Sequence, residues 1–161
     1  FGAKIIANDL EPDKIFGDEL GIKWVEKDHL FQEADVICLH VPATPLTRGM
    51  VGEKALASMK PDSILINTAR GGLIDESALA SALRSGKLGG AALDVFEREP
   101  YTGELTEIEN CTLTCHMGAS SRSSRLRMEV QAAENLICFL KGEPVPRLVP
   151  ESEYKIQAME S

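Results

Sequence analysis

The sequence predicts an α/β protein built on a Rossmann-like, doubly wound parallel sheet. Apolar runs of strand length alternate with amphipathic stretches of helical period, the pattern of strands joined by crossover helices. The runs that carry Ile37, Leu39, Ile64, Ile66, Ala92 and Leu93 are too continuously apolar for a sheet with one face in water. Both faces are therefore expected to lie under helices. Three chemically capable side chains, Arg70, Glu99 and His116, stand just beyond three of these runs, where open α/β sheets bind their ligands.

Strands are expected over residues 3–8, 22–25, 35–41, 63–67, 89–95 and 111–115, and helices over 12–20, 28–33, 53–59, 76–85 and 121–140. Their punctuation is legible. Asp75 precedes Glu76, Leu79 and Leu83 as an N-cap, and Gly86 follows the last turn of that helix as its stop. Pro61 closes the helix before the strand that leads to Arg70. After Leu140, Lys-Gly-Glu-Pro-Val-Pro-Arg-Leu-Val-Pro loses all periodicity and reads as a connector.

The 161 residues are 43% hydrophobic and 26% charged, the composition of one ordinary globular domain. A net charge of −8 argues against nucleic acid or an anionic membrane surface as partner, since phosphate binding needs clustered Lys and Arg. The apolar runs are strand-length and the first residues lack the build of a signal peptide, so no membrane span and a cytoplasmic location are expected. Cys38, Cys111, Cys115 and Cys138 include no Cys-x-x-Cys pair and read as buried reduced thiols. On a strand, positions 111 and 115 share a face that His116 does not, so no metal site is expected.

The first strand ends at Asn8-Asp9-Leu10-Glu11. In a dinucleotide fold an acid at such a tip accepts hydrogen bonds from the adenosine ribose, with a Gly-x-Gly-x-x-Gly turn roughly twenty residues upstream. Asp9 with Glu11 would repel a 2′-phosphate, so NAD is expected over NADP. As a plain loop residue, Asp9 would merely start the next helix.

Five segments occur in order: Asp9; His40-Val-Pro-Ala-Thr-Pro-Leu-Thr47; Asn67-Thr-Ala-Arg-Gly-Gly72; Ala92-Leu-Asp-Val-Phe-Glu-Arg-Glu-Pro100; and His116-Met-Gly-Ala119. Together they resemble the D-isomer-specific 2-hydroxyacid dehydrogenase family, over nearly the whole chain. The resemblance implies Arg70 as the substrate arginine, His116 as the catalytic histidine and Glu99 as its carboxylate partner. It further implies NAD contacts from Asp9, Thr68, Ala69, Arg70, Asp94, His116, Met117, Gly118 and Ala119, and a small 2-hydroxy or 2-keto acid as substrate. The same triad occurs in related transcriptional corepressors, so a nicotinamide-sensing interaction protein is the alternative that the sequence leaves standing.

Measured against that family, residues 1–141 are expected to form a partial NAD-binding domain lacking the first βα unit, and residues 142–161 a connector toward a substrate domain. Removing the first strand of the 3-2-1-4-5-6 order leaves two half-sheets with exposed edges, which tend to recruit another chain. A homodimer or shifted pairing is expected, and an isolated chain that does not turn over.

Each residue type suits its task. Arg70 offers a planar fork of donors to a carboxylate, His116 exchanges a proton near neutral pH, and Glu99 fixes the imidazole tautomer. His40 lacks such a carboxylate partner and reads as structural or a cofactor-loop residue, and His29 as a solvated helix residue. Arg122, Arg125 and Arg127 are scattered over different helix faces.

Overall fold

In a computed structural model that describes residues 2–148, the apolar runs become parallel strands divided between two sheets. Strand β1 (Ile6–Ala7) pairs with β2 (Lys23–Trp24). The second sheet takes β3 (Val36–Leu39), β4 (Ile64–Asn67), β5 (Gly90–Leu93) and β6 (Cys111–Leu113) in sequence order, with Val36 opposite Ile64, Ile64 opposite Gly90 and Ala91 opposite Cys111. Strands β1 and β3 do not pair, so the two half-sheets expected from the sequence are present and each keeps the ordinary order. Most strands are shorter than the apolar runs that announce them, because a ladder ends where the neighbouring strand does.

Between them run α1 (Lys14–Leu20), α2 (Lys27–Glu33), α3 (Glu53–Ser58), α4 (Glu76–Arg84) and α5 (Arg122–Lys141). The caps are those the sequence announces. Asp75 accepts the Ala78 N–H at 2.9 Å, and Gly86 takes φ 71°, a left-handed turn that glycine adopts at little cost. Two 3-10 turns, Gly71–Leu73 and Glu104–Glu107, have no expectation to meet, since three or four residues carry no readable period.

One cluster joins Ile37, Leu39, Leu65, Ala91 and Leu93 of the sheet to Phe31 of α2, Leu56 of α3 and Leu79 and Leu83 of α4. Burying a Leu of this kind contributes about 1.5–3 kcal/mol. The opposite face departs from expectation. Val36 is 53% exposed and Ile64 42% exposed, and α5 buries none of its own side chains among the described residues. The doubly wound plan is thus clad on one side only here, because period-2 alternation turns Val36, Cys38 and Ile64 away from α2, α3 and α4.

Helix α5 ends at Gly142, in a left-handed turn at φ 69°. Of the connector expected over 142–161, residues 149–161 lie outside the described part.

Candidate active site

The site is assembled from the C-terminal tips of β4, β5 and β6. At the tip of β4, Asn67 is 1% exposed, and a buried amide must find partners. Its Nδ2 donates to the Arg70 carbonyl at 2.8 Å and its Oδ1 accepts from the Ala69 N–H at 3.0 Å, which closes the turn through Thr68 and Ala69. The Arg70 side chain emerges exposed, its Nη1 donating to the Ala69 carbonyl at 2.7 Å.

Directly after this turn, the chain touches the loop that follows β5. A Cβ on Gly71 would lie 1.9 Å from the Phe96 carbonyl carbon and 2.4 Å from the Glu97 nitrogen. Only glycine permits that approach.

Beyond β5, Asp94 is 7% exposed and holds the turn after β6. Its Oδ1 accepts from the Thr114 hydroxyl and, at 3.0 Å, from the Met117 N–H, while Oδ2 accepts from the Gly118 N–H at 3.1 Å. The Asp94 carbonyl takes the His116 N–H at 2.7 Å, so one residue secures three consecutive amides. His116 sits at φ 51°, a region a non-glycine residue occupies only when its surroundings demand it.

The imidazole then meets Glu99. Nδ1 stands 3.0 Å from Oε2, and the other carboxylate oxygen, Oε1, accepts from the Phe96 N–H at 3.1 Å. These bonds hold the Glu99 carboxyl below the usual glutamate range, the His116 contact first and the Phe96 amide second. An ionised carboxylate only accepts, so Nδ1 carries the proton and Nε2 is left to exchange one.

A cleft of about 750 Å³ opens beside this pair, lined among others by Phe96, Glu99, Tyr101, Leu113 and Met117, with the Phe96 and Tyr101 rings stacked at 4.5 Å. That volume suits a small ligand. A second, smaller cleft of about 410 Å³ between α2 and α3, near Lys27, Phe31 and Lys54, has none of these side chains in its walls.

The structure thus brings Glu99 and His116 into contact and abuts the Arg70 turn against their loop. Asp94, Met117 and Gly118 form the turn that carries His116, and Ala119 follows it in the open. Asp9 stands apart, in the loop just beyond β1 of the smaller sheet, exposed, with Oδ1 accepting the Glu11 N–H at 3.0 Å. Asn67 and Gly71, which lie in a segment that carries the resemblance but were given no role of their own, and Thr114 are part of the assembly. For Asn67 the signal is a lone polar residue ending an apolar run; for Thr114 there is none, because its partner is 20 positions away. Among the described residues no group of three or more His, Cys, Asp or Glu could hold a metal ion. The cysteines are not buried as expected: Cys38 and Cys115 are exposed and Cys111 and Cys138 half-buried, Cys38 because strand alternation turns it to the uncovered face. Partial burial pushes the Cys111 thiol up to about 11.

Asp94 predicts a pH dependence. Thr114 and then the Met117 amide hold its carboxyl below the ordinary value of 3.8, with burial opposing them. A lowered folded-state value means that its contribution is complete above 3.8 and is lost only as pH falls through the lower folded value. The amide resonances of Met117 and Gly118 should therefore keep their bonded positions down to pH 3.8 and move below it; a midpoint above 3.8 would contradict the assignment.

Residues 1–118 match the family described as D-isomer specific 2-hydroxyacid dehydrogenase, NAD binding domain. The chain belongs to this family. Over 150 residues it is 45% identical to glyoxylate reductase of Thermococcus litoralis, covering 92% of this chain and 45% of that protein. With D-3-phosphoglycerate dehydrogenase of a Synechocystis species it shares 40% identity over 163 residues, 97% of this chain and 29% of the relative. D-Lactate dehydrogenase with NAD+ from Lactobacillus jensenii superposes with a TM-score of 0.82 at 30% identity, covering 92% of this chain and 49% of that one. The chain therefore spans less than half the length of these dehydrogenases.

The residues present fit the two ends of the dinucleotide. At the tip of β1, Asp9 is exposed with only Oδ1 engaged, which suits ribose hydroxyls. Around His116, residues 116–119 are all exposed beyond the tip of β6, which leaves room for a ring beside the His116–Glu99 pair. No Gly-x-Gly-x-x-Gly turn occurs in the sequence.

Proposed function

We propose that this chain is the NAD-side part of an oxidoreductase that interconverts a D-2-hydroxy acid and its 2-keto acid. The observation that carries the reading is the His116–Glu99 pair, Nδ1 to Oε2 at 3.0 Å, at strand tips beside the Arg70 turn. A nicotinamide cofactor held there would supply the hydride as NADH in reduction and take it up as NAD+ in oxidation. Arg70 pairs its guanidinium fork with the substrate carboxylate and so turns the carbonyl toward the ring. His116 gives the Nε2 proton to the carbonyl oxygen in reduction and removes it from the hydroxyl in oxidation, with Glu99 ionised throughout.

Thr68, Ala69, Asp94 and the turn from His116 to Ala119 border the nicotinamide end. Residues 1–141 act as the dinucleotide unit and residues 142–161 as the link onward. Because the chain covers only 45%, 29% and 49% of the three matched proteins, the 161 residues alone are proposed not to turn over. For the 161 residues alone, the unpaired edges at β1 and β3 support a homodimer, and free cysteines support a cytoplasmic setting.

The test is NADH-dependent reduction of glyoxylate and other small 2-keto acids by the full-length protein, with the product's configuration determined. A D-product supports the reading; no turnover on any of them overturns it. Cofactor choice is tested separately. Asp9→Ser combined with Leu10→Arg should move the kcat/KM preference from NADH toward NADPH by about 10–100-fold, from removal of one repulsive charge and addition of one attractive one. Unchanged selectivity would release Asp9 from the ribose.

A further inference from the structure

The loop that carries Glu99 is held from below as well as from within. Glu76, the first residue of α4, lies six positions after Arg70, and its Oε1 accepts from the Glu97 N–H at 2.8 Å. The preceding amide, Phe96 N–H, is taken by Glu99 itself. Two carboxylates therefore bind two consecutive amides of one loop, at the place where Gly71 lets the Arg70 turn touch it. The Arg48–Glu97 ion pair, 3.8 Å apart with both side chains more than 60% exposed, adds little hold on that loop.

We propose that Glu76 is a positioning residue for the His116–Glu99 pair: by anchoring the Glu97 amide it fixes the loop, and through the loop the direction of the Glu99 carboxylate and the tautomer of His116. The setting is costly for an acid. Burial, with the neighbouring Glu97 and Asp75 charges, makes the ionised form harder to hold, and the bond from the Glu97 amide is what opposes them. A carboxylate needed only to complement the start of α4 has no reason to reach that amide, since Asp75 already caps the helix.

The inference rests on the reading of His116 as proton carrier, yet it is tested without substrate. Nitrogen-15 spectra of the imidazoles of the full-length protein, with the His116 signals assigned by their loss in His116→Asn, report whether neutral His116 carries its proton on Nδ1 or Nε2. Glu76→Gln keeps the reach and an acceptor oxygen, whereas Glu76→Asp keeps the charge at the helix start and withdraws the oxygen by one methylene. Glu76→Ala removes both. The Gln variant should retain the wild-type Nδ1–H signature, and the Asp and Ala variants should shift the ratio toward Nε2–H by roughly fivefold to tenfold, one hydrogen bond's worth.

Wild-type signatures in Glu76→Asp and Glu76→Ala, or a Gln variant that shifts as far as Ala, would overturn the proposal. Glu76→Asp retains the favourable helix-start charge, so it keeps the test available if Glu76→Ala does not fold. Absence of keto-acid turnover would count against the reaction alone and leave the imidazole result standing.

Discussion

Replacing His116 with asparagine in the full-length protein is expected to lower kcat for 2-keto acid reduction by about 10²–10⁴-fold, the usual contribution of a positioned proton donor. Asparagine is the informative choice because the residue sits at φ 51°, where it is among the few side chains that settle readily. The turn should therefore persist, with its amides still bound to Asp94, while the exchangeable Nε2 is gone. With Arg70 proposed to hold the substrate carboxylate and left unchanged, the loss should fall on kcat rather than on KM for the keto acid. Steady-state kinetics check this, and a kcat within about tenfold of wild type would remove His116 from the proton transfer.

The second large effect comes from a single methyl group. Gly71→Ala places a Cβ 1.9 Å from the Phe96 carbonyl carbon and 2.0 Å from its oxygen. Both are backbone atoms that cannot swing aside, so the Arg70 turn and the Glu99 loop must separate by about 1–1.5 Å to restore ordinary contact. A displacement of that size at reacting groups costs about 100-fold. Overpacking should also lower stability by about 1–3 kcal/mol. The expected result is a folded protein of lower Tm whose kcat/KM for the keto acid falls by about 100-fold; Gly72→Ala is the control, since its added atom would meet the mobile Arg48 guanidinium at 3.2 Å instead. Equal activity in the two variants would show that the contact does not set the geometry.

The order of elements was legible in the sequence because each strand and helix repeats a local pattern, and the caps at Asp75 and Gly86 are set by residues a few positions away. Arg70, Glu99 and His116 were legible as candidates for one site because each follows a different apolar run, while the roles of His116 and Glu99 as a pair came from the resemblance to a known family. What was not legible depends on contacts distant in sequence. Gly71 meets Phe96 after 25 positions, Glu76 reaches Glu97 after 21, and Thr114 reaches Asp94 after 20; no periodicity records these. The expectation of a fully covered sheet failed at Val36 and Ile64 for a related reason. An apolar run says that a strand's side chains tolerate burial, while the cladding of each face depends on which helices return to it.

That one-sided cladding sorts the sheet's residues into two mutational regimes. Changes at Leu65 or Leu93 press on the helices behind the strand tips and can be transmitted to Asn67 and Asp94, which follow them by two residues and one residue. Changes at Val36 or Ile64 meet water or another surface, and their consequences are for solubility and assembly, with the chemistry at the tips left alone.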